Sequence, residues 1–429
     1  MSQLTQMAKT RSPELATAIR ETFDAKTLTE GTAWAGRGAD FFFAVEVEEN
    51  RHPVLILDEE RHTEMQQIAG TRLWYASVRL EPLGKLHSFY YRLTPSDLYA
   101  IGGARFGGSL DLPAYAPDSY QQRGVPVGNL SEKIVHTSKI YDGMKSEAWV
   151  YVPAQYDPKK PAALMVFQDG GWYIDREGSI KAINVIDNLI AQEKIPVMIA
   201  VFINPGDISE SSGTPTYEFV SARVKKWNTT SKNAMRSTLY DTVSDRYVRF
   251  LTTEVLAEVE GKYNIRKDAY SRAITGLSSG GICSFNAAWQ APGQFSRVIT
   301  WIGSFASIQW KEDPKVPDGG QDYPDKILRE PKRNIRVWMQ DGANDLEQEN
   351  FGSWPLANLR MANALKSKGY DFHLSFGKGT HNSAHGAAEF PEEMIWLWRN
   401  YDPAKTEQTY EMESSEKMKP LFRVGVVNR

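Results

Sequence analysis

The stretch Ile274-Thr275-Gly276-Leu277-Ser278-Ser279-Gly280-Gly281 indicates how the larger part of this chain folds. It contains the pattern G-x-S-x-G with Ser278 at its centre. Small and β-branched residues precede it and predict a strand, whereas an alanine- and aromatic-rich segment follows it and predicts a helix. Glycines flanking a serine allow a turn sharp enough to hold the hydroxyl clear of the sheet. We interpret the stretch as a nucleophile turn, although a Gly/Ser turn that caps a helix has a similar composition.

From about Ser131 onward, segments typical of strands alternate with segments typical of helices. This order predicts the α/β class, with a doubly wound, mostly parallel sheet covered by helices on both faces. The predicted strands are Ala148 to Val152, Ala163 to Gln168, Val197 to Ile203, Arg272 to Gly276, Val298 to Ile302, Ile335 to Gln340 and Phe372 to Phe376. The predicted helices are Ile180 to Gln192, Ser244 to Gly261, Gly280 to Trp289, Pro355 to Lys368 and Pro391 to Tyr401.

The N-terminal part has a different pattern. After a helical segment, short runs rich in β-branched and aromatic residues predict a small antiparallel sandwich. These runs are Asp40 to Glu48, Pro53 to Asp58, Thr71 to Leu80 and Leu86 to Leu93. The predicted organisation is a sandwich at residues 1–110, a Gly/Pro-rich linker at 111–130, an α/β domain at 131–402 and a tail at 403–429.

Two segments depart from the alternation of strands and helices. Gly206 to Asn233 is a long Ser/Thr-rich insertion directly after a predicted strand. Because ligands bind at the carboxyl ends of strands in α/β sheets, it is a candidate lid or substrate wall, with a surface loop as the alternative. In the tail, Leu421 to Val427 is more apolar and predicts an edge strand.

Composition excludes several classes of protein. The formal net charge of -3 provides no large field of one sign for a nucleic acid or an anionic membrane, so a small-molecule ligand fits better. The only cysteine, Cys283, cannot form an intramolecular disulfide. The N-terminus lacks the apolar core of a secretory signal, and no apolar run reaches the length of a membrane span, which favours a cytoplasmic location.

A serine nucleophile needs a base, usually a histidine oriented by a carboxylate. In folds with this strand, turn and helix, the acid and then the histidine follow the serine along the chain. His373 lies inside a predicted strand and is expected in the core. His381 and His385 follow the last predicted strand, and His381 is favoured because it is nearer the strand end.

The acid is expected after the strand Ile335 to Gln340, where Asp341, Asp345 and Glu347 are the candidates. A turn at Gly342 would direct a carboxylate three residues later toward the histidine, which favours Asp345. Asp341 is then expected to accept N–H groups of the turn. An isolated surface carboxylate is the alternative for each candidate.

Acyl transfer also requires donors for the developing oxyanion. The backbone N–H of Ser279, next to the nucleophile, is one candidate. Gly171 or Trp172, in the glycine-rich loop after the strand Ala163 to Gln168, is expected to provide the other. A simple Gly-Gly turn is the alternative for this loop.

With these residues in place, the chain from about Val125 to Tyr401 resembles the enterochelin-esterase-like branch of an esterase family that also includes feruloyl esterases, S-formylglutathione hydrolases and mycolyltransferases. The matching stretches are Tyr151 to Asp157, Phe167 to Gly170, Asn204 to Gly206, Gly276 to Gly281, Gln340 to Asp345, and Thr380-His381. The resemblance implies an α/β-hydrolase fold, a Ser-His-acid triad and ester hydrolysis without a metal. It also implies that the N-terminal sandwich is immunoglobulin-like.

The same resemblance extends to Arg236 to Asp241 and suggests substrate contacts. Arg236 could hold an anionic group through two hydrogen bonds, with a salt bridge at the helix start as the alternative. Aromatic side chains expected near the site would suit a ring-bearing acyl group. They are Trp172, Tyr173, Trp310 and Trp354.

The sequence therefore predicts a serine carboxylic-ester hydrolase that uses Ser278, Asp345 and His381, without a cofactor, on an aromatic-acyl or siderophore-type ester. A thioesterase or peptidase with the same triad is one alternative, and a carbohydrate-binding protein with an inactive hydrolase domain is another. The expected partner is a small-molecule ester, with no nucleic acid and no membrane, and a homodimer is considered as the assembly.

Overall fold

The computed structural model describes residues 3–94, 100–101, 110–141, 143–207, 231–309 and 319–425. The chain divides into two compact units. The N-terminal unit is Met1–Ser119 with Lys378–Pro391, and the C-terminal unit is Tyr120–Gly377 with Glu392–Arg429. The segment Lys378–Pro391 thus groups with the N-terminal unit, whereas the sequence assigns it to the α/β domain.

The N-terminal unit contains three helices and two antiparallel sheets among its described residues. The elements are α1 (Gln3–Thr10), α2 (Leu15–Thr22), α3 (Ala25–Thr29), β1 (Ala33–Arg37), β2 (Asp40–Glu46), β3 (His52–Leu57), β4 (Arg61–Glu64), β5 (Gln66–Gln67), β6 (Leu73–Arg79), β7 (Lys85–Thr94), β8 (Ala100–Ile101) and β9 (Leu110–Ala114). The sheet orders are β1-β2-β6-β5 and β4-β3-β7-β8, with β9 also paired to β7. The four predicted runs correspond to β2, β3, β6 and β7, whereas β9 lies in residues that the sequence assigns mainly to the linker.

Strand β2 shows why this unit has helices as well as two sheets. Successive side chains of a strand point to opposite faces. Phe41 and Phe43 are buried in the cluster shared with β3 and β7, whereas Phe42 and Ala44 are buried against α1 and α2. The run is continuously apolar because both faces of the sheet are covered.

The C-terminal unit contains the α/β sheet and its helices. The elements are β10 (Asn129–Leu130), β11 (Ile134–Thr137), β12 (Lys145–Val152), β13 (Ala163–Gln168), α4 (Ala182–Ala191), β14 (Met198–Ile203), α5 (Ser231–Tyr240), α6 (Arg246–Phe250), α7 (Leu256–Glu260), β15 (Arg272–Leu277), α8 (Ser279–Gln290), β16 (Arg297–Trp301), α9 (Tyr323–Arg329), β17 (Arg336–Asn344), β18 (Glu347–Gln348), β19 (Gly352–Ser353), α10 (Trp354–Ser367), β20 (Asp371–Thr380), α11 (Ala384–Trp398) and α12 (Ser414–Lys417).

The large sheet has the order β10-β12-β14-β13-β15-β16-β17-β20, with β11 also paired to β12. Pairs from β14 through β17 are parallel, and β12 is antiparallel to β14. The α/β-hydrolase fold predicted from the sequence is confirmed. Strand order reverses between β13 and β15, and the crevice at the carboxyl ends of strands at such a point is where α/β proteins bind ligands.

Helix α11 begins earlier than the sequence predicts. The prediction started the helix at Pro391, a residue type that is tolerated in a first turn and disfavoured inside a helix. The structure begins it at Ala384 and places Pro391 inside it. Proline lacks an N–H, so the carbonyl of Ala387, four residues earlier, has no helical donor there. The sequence rule therefore missed about the first two turns.

The two irregular segments have different outcomes. Residues 208–230 of the insertion lie outside the described residues, and residues 231–233 open α5, so the lid hypothesis stays a prediction. In the tail, residues 421–425 form no strand, contrary to the prediction. The backbone of Phe422 instead exchanges two hydrogen bonds with the side-chain amide of Asn363, at 2.8 and 3.0 Å. A side chain thus satisfies the backbone groups that a neighbouring strand would have bound.

Candidate active site

Ser278 lies at the apex between β15 and α8. Its backbone has φ 56° and ψ −120°, a region that side chains with a Cβ rarely occupy. The Ser278 N–H donates to the Trp301 carbonyl at 2.9 Å, and its own carbonyl accepts from Gly281 at 2.9 Å. A Cβ on Gly276 would approach the carbonyl group of Gly280 to 2.5 Å, so glycine is required for this tight turn. The turn has the conformation that the G-x-S-x-G pattern predicts.

The positive φ of Ser278 leads to a stability prediction. Both Ser278→Ala and Ser278→Gly remove the hydroxyl, but glycine also relieves the strained backbone. We expect the free energy of unfolding of Ser278→Gly to be about 1 kcal/mol higher than that of Ser278→Ala. The backbone strain of about 1–3 kcal/mol that glycine relieves exceeds the entropic cost of a glycine. Urea unfolding of the two variants at one pH measures the difference. An alanine variant as stable as the glycine variant would contradict the strain.

The predicted oxyanion donors differ in what they bind. Ser279 is the first residue of α8, so its N–H has no acceptor within the helix. The Gly171 N–H donates to Asn204 Oδ1 at 2.9 Å, and the Trp172 N–H donates to the Asp169 carbonyl at 3.0 Å. Both groups in the β13 loop are therefore engaged within the protein in this state. The Ser279 N–H stays a predicted oxyanion donor.

The predicted substrate contact Arg236 forms an ion pair. Its Nε and Nη2 donate to the two carboxylate oxygens of Asp169 at 2.9 and 2.8 Å. Its guanidinium also lies 5.9 Å from the ring centre of Trp172, and the Trp172 side chain is exposed. The structure thus shows the salt bridge considered as the alternative, but its partner lies in the loop after β13 and not at the helix start.

Two other predicted aromatic contacts lie in the core. Tyr173 is fully buried and packs on Phe167 and Trp301, with ring centres 5.2 and 5.9 Å away. Trp354 is also buried, beside Phe351. Both were predicted from their sequence position after a strand end or before a helix, which does not reveal burial. Trp310 lies outside the described residues.

The acid loop places two carboxyl groups in contact. Asp341 and Asp345 are both buried, and the Asp345 N–H donates to the Gly342 carbonyl at 3.1 Å, which confirms the predicted turn. Asp341 accepts from the Gly342 N–H at 2.7 Å, also as predicted. Burial, together with a hydrogen bond to Asp345, holds the pKa of Asp341 well above its usual range. Glu347 is exposed on β18.

The histidine candidates occupy different settings. His381 directly follows β20, and the residues on either side of it are held by one carboxylate. Asp111 Oδ2 accepts from the Thr380 N–H at 2.9 Å and from the Asn382 amide at 2.8 Å. His385 is buried, with Nε2 3.5 Å from Glu389 Oε1. Sequence reasoning missed Asp111, because it lies in a segment with no periodic pattern.

His373 lies within β20, as predicted, and stacks on Trp338 with ring centres 4.0 Å apart. It therefore has a packing role. Of the predicted triad, Ser278 and Asp345 belong to the C-terminal unit, and His381 belongs to the segment that groups with the N-terminal unit.

Asp241 is a buried carboxyl group next to the nucleophile turn. In the sequence it stands out only as the last residue of the stretch Arg236 to Asp241. It accepts from Ser237 Oγ at 2.7 Å, and it is also hydrogen-bonded to the side chain of Ser279. Burial raises the pKa of Asp241 to about 6, against the opposing effect of these hydrogen bonds. The group therefore titrates near neutral pH beside a predicted oxyanion donor.

The raised pKa of Asp241 predicts a pH-dependent stability. Protonation favours the folded state, so its contribution is complete below the ordinary pKa of 3.8 and is lost as pH rises through about 6. Between pH 4.5 and 8, the unfolding free energy of the wild type should fall relative to Asp241→Asn by about 2 kcal/mol. Urea unfolding of both proteins across this range measures it. A difference that does not change with pH would contradict the prediction.

Comparisons with known proteins show the family to which the chain belongs. The family model described as "Putative esterase" matches residues 143–397. The uncharacterized protein YbbA of Bacillus subtilis is 22% identical over 256 residues, which cover 58% of this chain and 91% of YbbA. No helix in the described part of the chain is long and apolar enough to cross a bilayer.

Solved structures share the fold. The enterobactin esterase of Shigella flexneri is 15% identical, with a TM-score of 0.50, over 86% of this chain and 96% of that one. The ferric enterobactin esterase of Salmonella typhimurium is 14% identical, with a TM-score of 0.52, over the same shares. The family match spans more than half of the chain and includes the nucleophile turn, the acid loop and His381. This chain belongs to that esterase family and is a carboxylic ester hydrolase.

Proposed function

We propose that the protein hydrolyses a small-molecule ester by two-step acyl transfer through Ser278, His381 and Asp345. Ser278 Oγ attacks the carbonyl carbon while His381 takes its proton, and His381 then returns the proton to the departing alcohol. Water, deprotonated by the same imidazole, attacks the acyl-enzyme and releases the acid. Asp345 orients the imidazole and stabilises its cationic form.

The observation that carries this proposal is the backbone of Ser278. A non-glycine residue at φ 56° between a buried strand and a helix is held there at a cost in free energy. The adjacent Ser279 N–H at the helix start supplies a donor for the oxyanion. This combination supports a nucleophile rather than a structural turn.

For the substrate, we propose an ester with an aromatic acyl group, of the siderophore or hydroxycinnamate type. Trp172 is 55% exposed on the loop after β13, so its ring is available to stack on a planar acyl group. The Shigella and Salmonella proteins that share the fold are named as enterobactin esterases. We further propose that the N-terminal sandwich is an immunoglobulin-like accessory module.

Labelling with a fluorophosphonate, followed by peptide mapping, tests the mechanism. We expect one adduct, on Ser278, and no adduct in Ser278→Ala. A panel of aromatic and aliphatic esters, thioesters and peptides tests the substrate class, with the aromatic esters expected to have the highest kcat/KM. An adduct on any residue outside Gly276 to Gly281 would refute the nucleophile assignment.

A further inference from the structure

Ser304 is a second hydroxyl at the nucleophile turn. It is buried and lies just beyond the carboxyl end of β16. Its Oγ is 3.2 Å from Ser278 Oγ, and its N–H donates to the Ser278 carbonyl at 3.0 Å. Ser304 therefore contacts both the backbone and the reacting atom of the proposed nucleophile.

Trp354 is a second partner of the Ser304 hydroxyl. Its Nε1 lies 3.1 Å from Ser304 Oγ, and an indole N–H can only donate. Ser304 Oγ is therefore the acceptor in that pair, and its own hydrogen is left for another acceptor. Ser278 Oγ lies within hydrogen-bond distance of Ser304 Oγ, and either hydroxyl can donate in this pair. Because Ser304 Oγ already accepts from Trp354, its hydrogen is available for donation to Ser278 Oγ.

The backbone around Ser304 is also constrained. Ile302 has φ 44°, which is a strained conformation for a β-branched residue, and its N–H donates to the Gln340 carbonyl at 2.7 Å. The Asn358 amide donates to the Gly303 carbonyl at 2.9 Å and to the Trp354 carbonyl at 3.1 Å. Strain of this kind persists where the surrounding structure holds a functional group in place.

We infer that Ser304 donates a hydrogen bond to Ser278 Oγ during acyl transfer. Ser304 keeps its proton, the Ser278 proton remains available to the base, and the negative charge developing on Ser278 Oγ is stabilised. Trp354 is a positioning residue that acts through Ser304. The inference rests on the proposed function, because it requires Ser278 to be the nucleophile.

Fluorophosphonate labelling rates test the inference, since they report the reactivity of Ser278 alone. Ser304→Ala should lower the second-order labelling rate and kcat/KM by about 10- to 100-fold, which corresponds to loss of a hydrogen bond to a charged group. Because Ser304 contacts the nucleophile and not the substrate, the KM of Ser304→Ala should equal that of the wild type. Trp354→Phe keeps an aromatic side chain but removes the indole N–H that donates to Ser304. It should lower the same rates by about 3- to 10-fold.

Two matched variants control for packing. Ser296→Ala removes a buried hydroxyl that donates to the Ala269 carbonyl at 2.7 Å, just before β16 begins. Trp338→Phe removes a buried indole N–H that has no hydrogen-bond partner among the described residues. Both should label at the wild-type rate.

The double variant Ser304→Ala/Trp354→Phe should label no more slowly than Ser304→Ala, because Trp354 acts only through the hydroxyl. Additive losses, or a folded Ser304→Ala that labels at the wild-type rate, would overturn the inference and leave the proposed function intact. If Ser304→Ala does not fold, a wild-type labelling rate in Trp354→Phe overturns it instead. A wild-type protein that is not labelled at Ser278 would refute the proposed function itself.

Discussion

Ser278→Ala is expected to lower kcat by about 10⁴- to 10⁶-fold and to leave the fold intact. The alanine keeps the backbone turn but removes the oxygen that forms the acyl-enzyme. Steady-state hydrolysis of an aromatic chromogenic ester measures the loss, and near-ultraviolet circular dichroism verifies the fold. Ser284→Ala is the matched control, since Ser284 is a buried serine of α8 whose Oγ donates to the Gly280 carbonyl at 2.8 Å. It should retain activity within about tenfold.

The same measurement tests His381. His381→Ala should lose as much activity as Ser278→Ala, and the double variant should lose no more, because residues of a triad act as one unit. His385→Gln should stay within about tenfold of the wild type, since Gln retains a polar group opposite Glu389. A larger loss in His385→Gln than in His381→Ala would assign the base to His385.

The variants Asp345→Asn and Asp341→Asn distinguish the roles of the two carboxyl groups of the acid loop. Asp345→Asn should lower kcat by about 10⁴-fold at pH 7.5, because an amide cannot stabilise the cationic imidazole and favours the wrong tautomer. Asp341→Asn should retain activity within about tenfold. Burial and the neighbouring Asp345 raise the pKa of Asp341, which favours its neutral form, and Asn has nearly the same size and shape as that form.

The two variants control for each other, because each changes one carboxyl group of a hydrogen-bonded pair to an amide of nearly equal size. Kinetics at pH 7.5 and urea unfolding are measured on both. Equal losses in the two variants would mean that the pair acts as a unit, and a larger loss in Asp341→Asn would assign the acid to Asp341.

Local patterns predicted much of the large sheet. The continuous apolar runs of β13, β14 and β15 appear where expected, because strands buried on both faces have no polar alternation to obscure them. Ser278 and the turn at Gly342 were predicted for a similar reason, since glycine spacing reports backbone conformation directly. Proline occurs both at the start of a helix and, less often, inside one, and the prediction that a helix begins at Pro391 was wrong.

The contacts of single side chains were less predictable. Trp354 was expected to bind substrate, but it is buried and donates to Ser304, a residue from a distant part of the sequence. A serine directly after a predicted strand could have been noticed, because strand ends form the site. No local signal marks Asp111 as the residue that holds the segment around His381.

Residue order and composition were therefore sufficient for the α/β class, for the nucleophile turn and for the family, because each depends on spacing within one short segment. Packing in three dimensions was needed to learn that Asp169 binds Arg236, that Asp341 binds Asp345 and that Trp354 orients Ser304. Each of these pairs depends on which side chains the fold buries together, and burial is a property of the assembled chain rather than of any one segment.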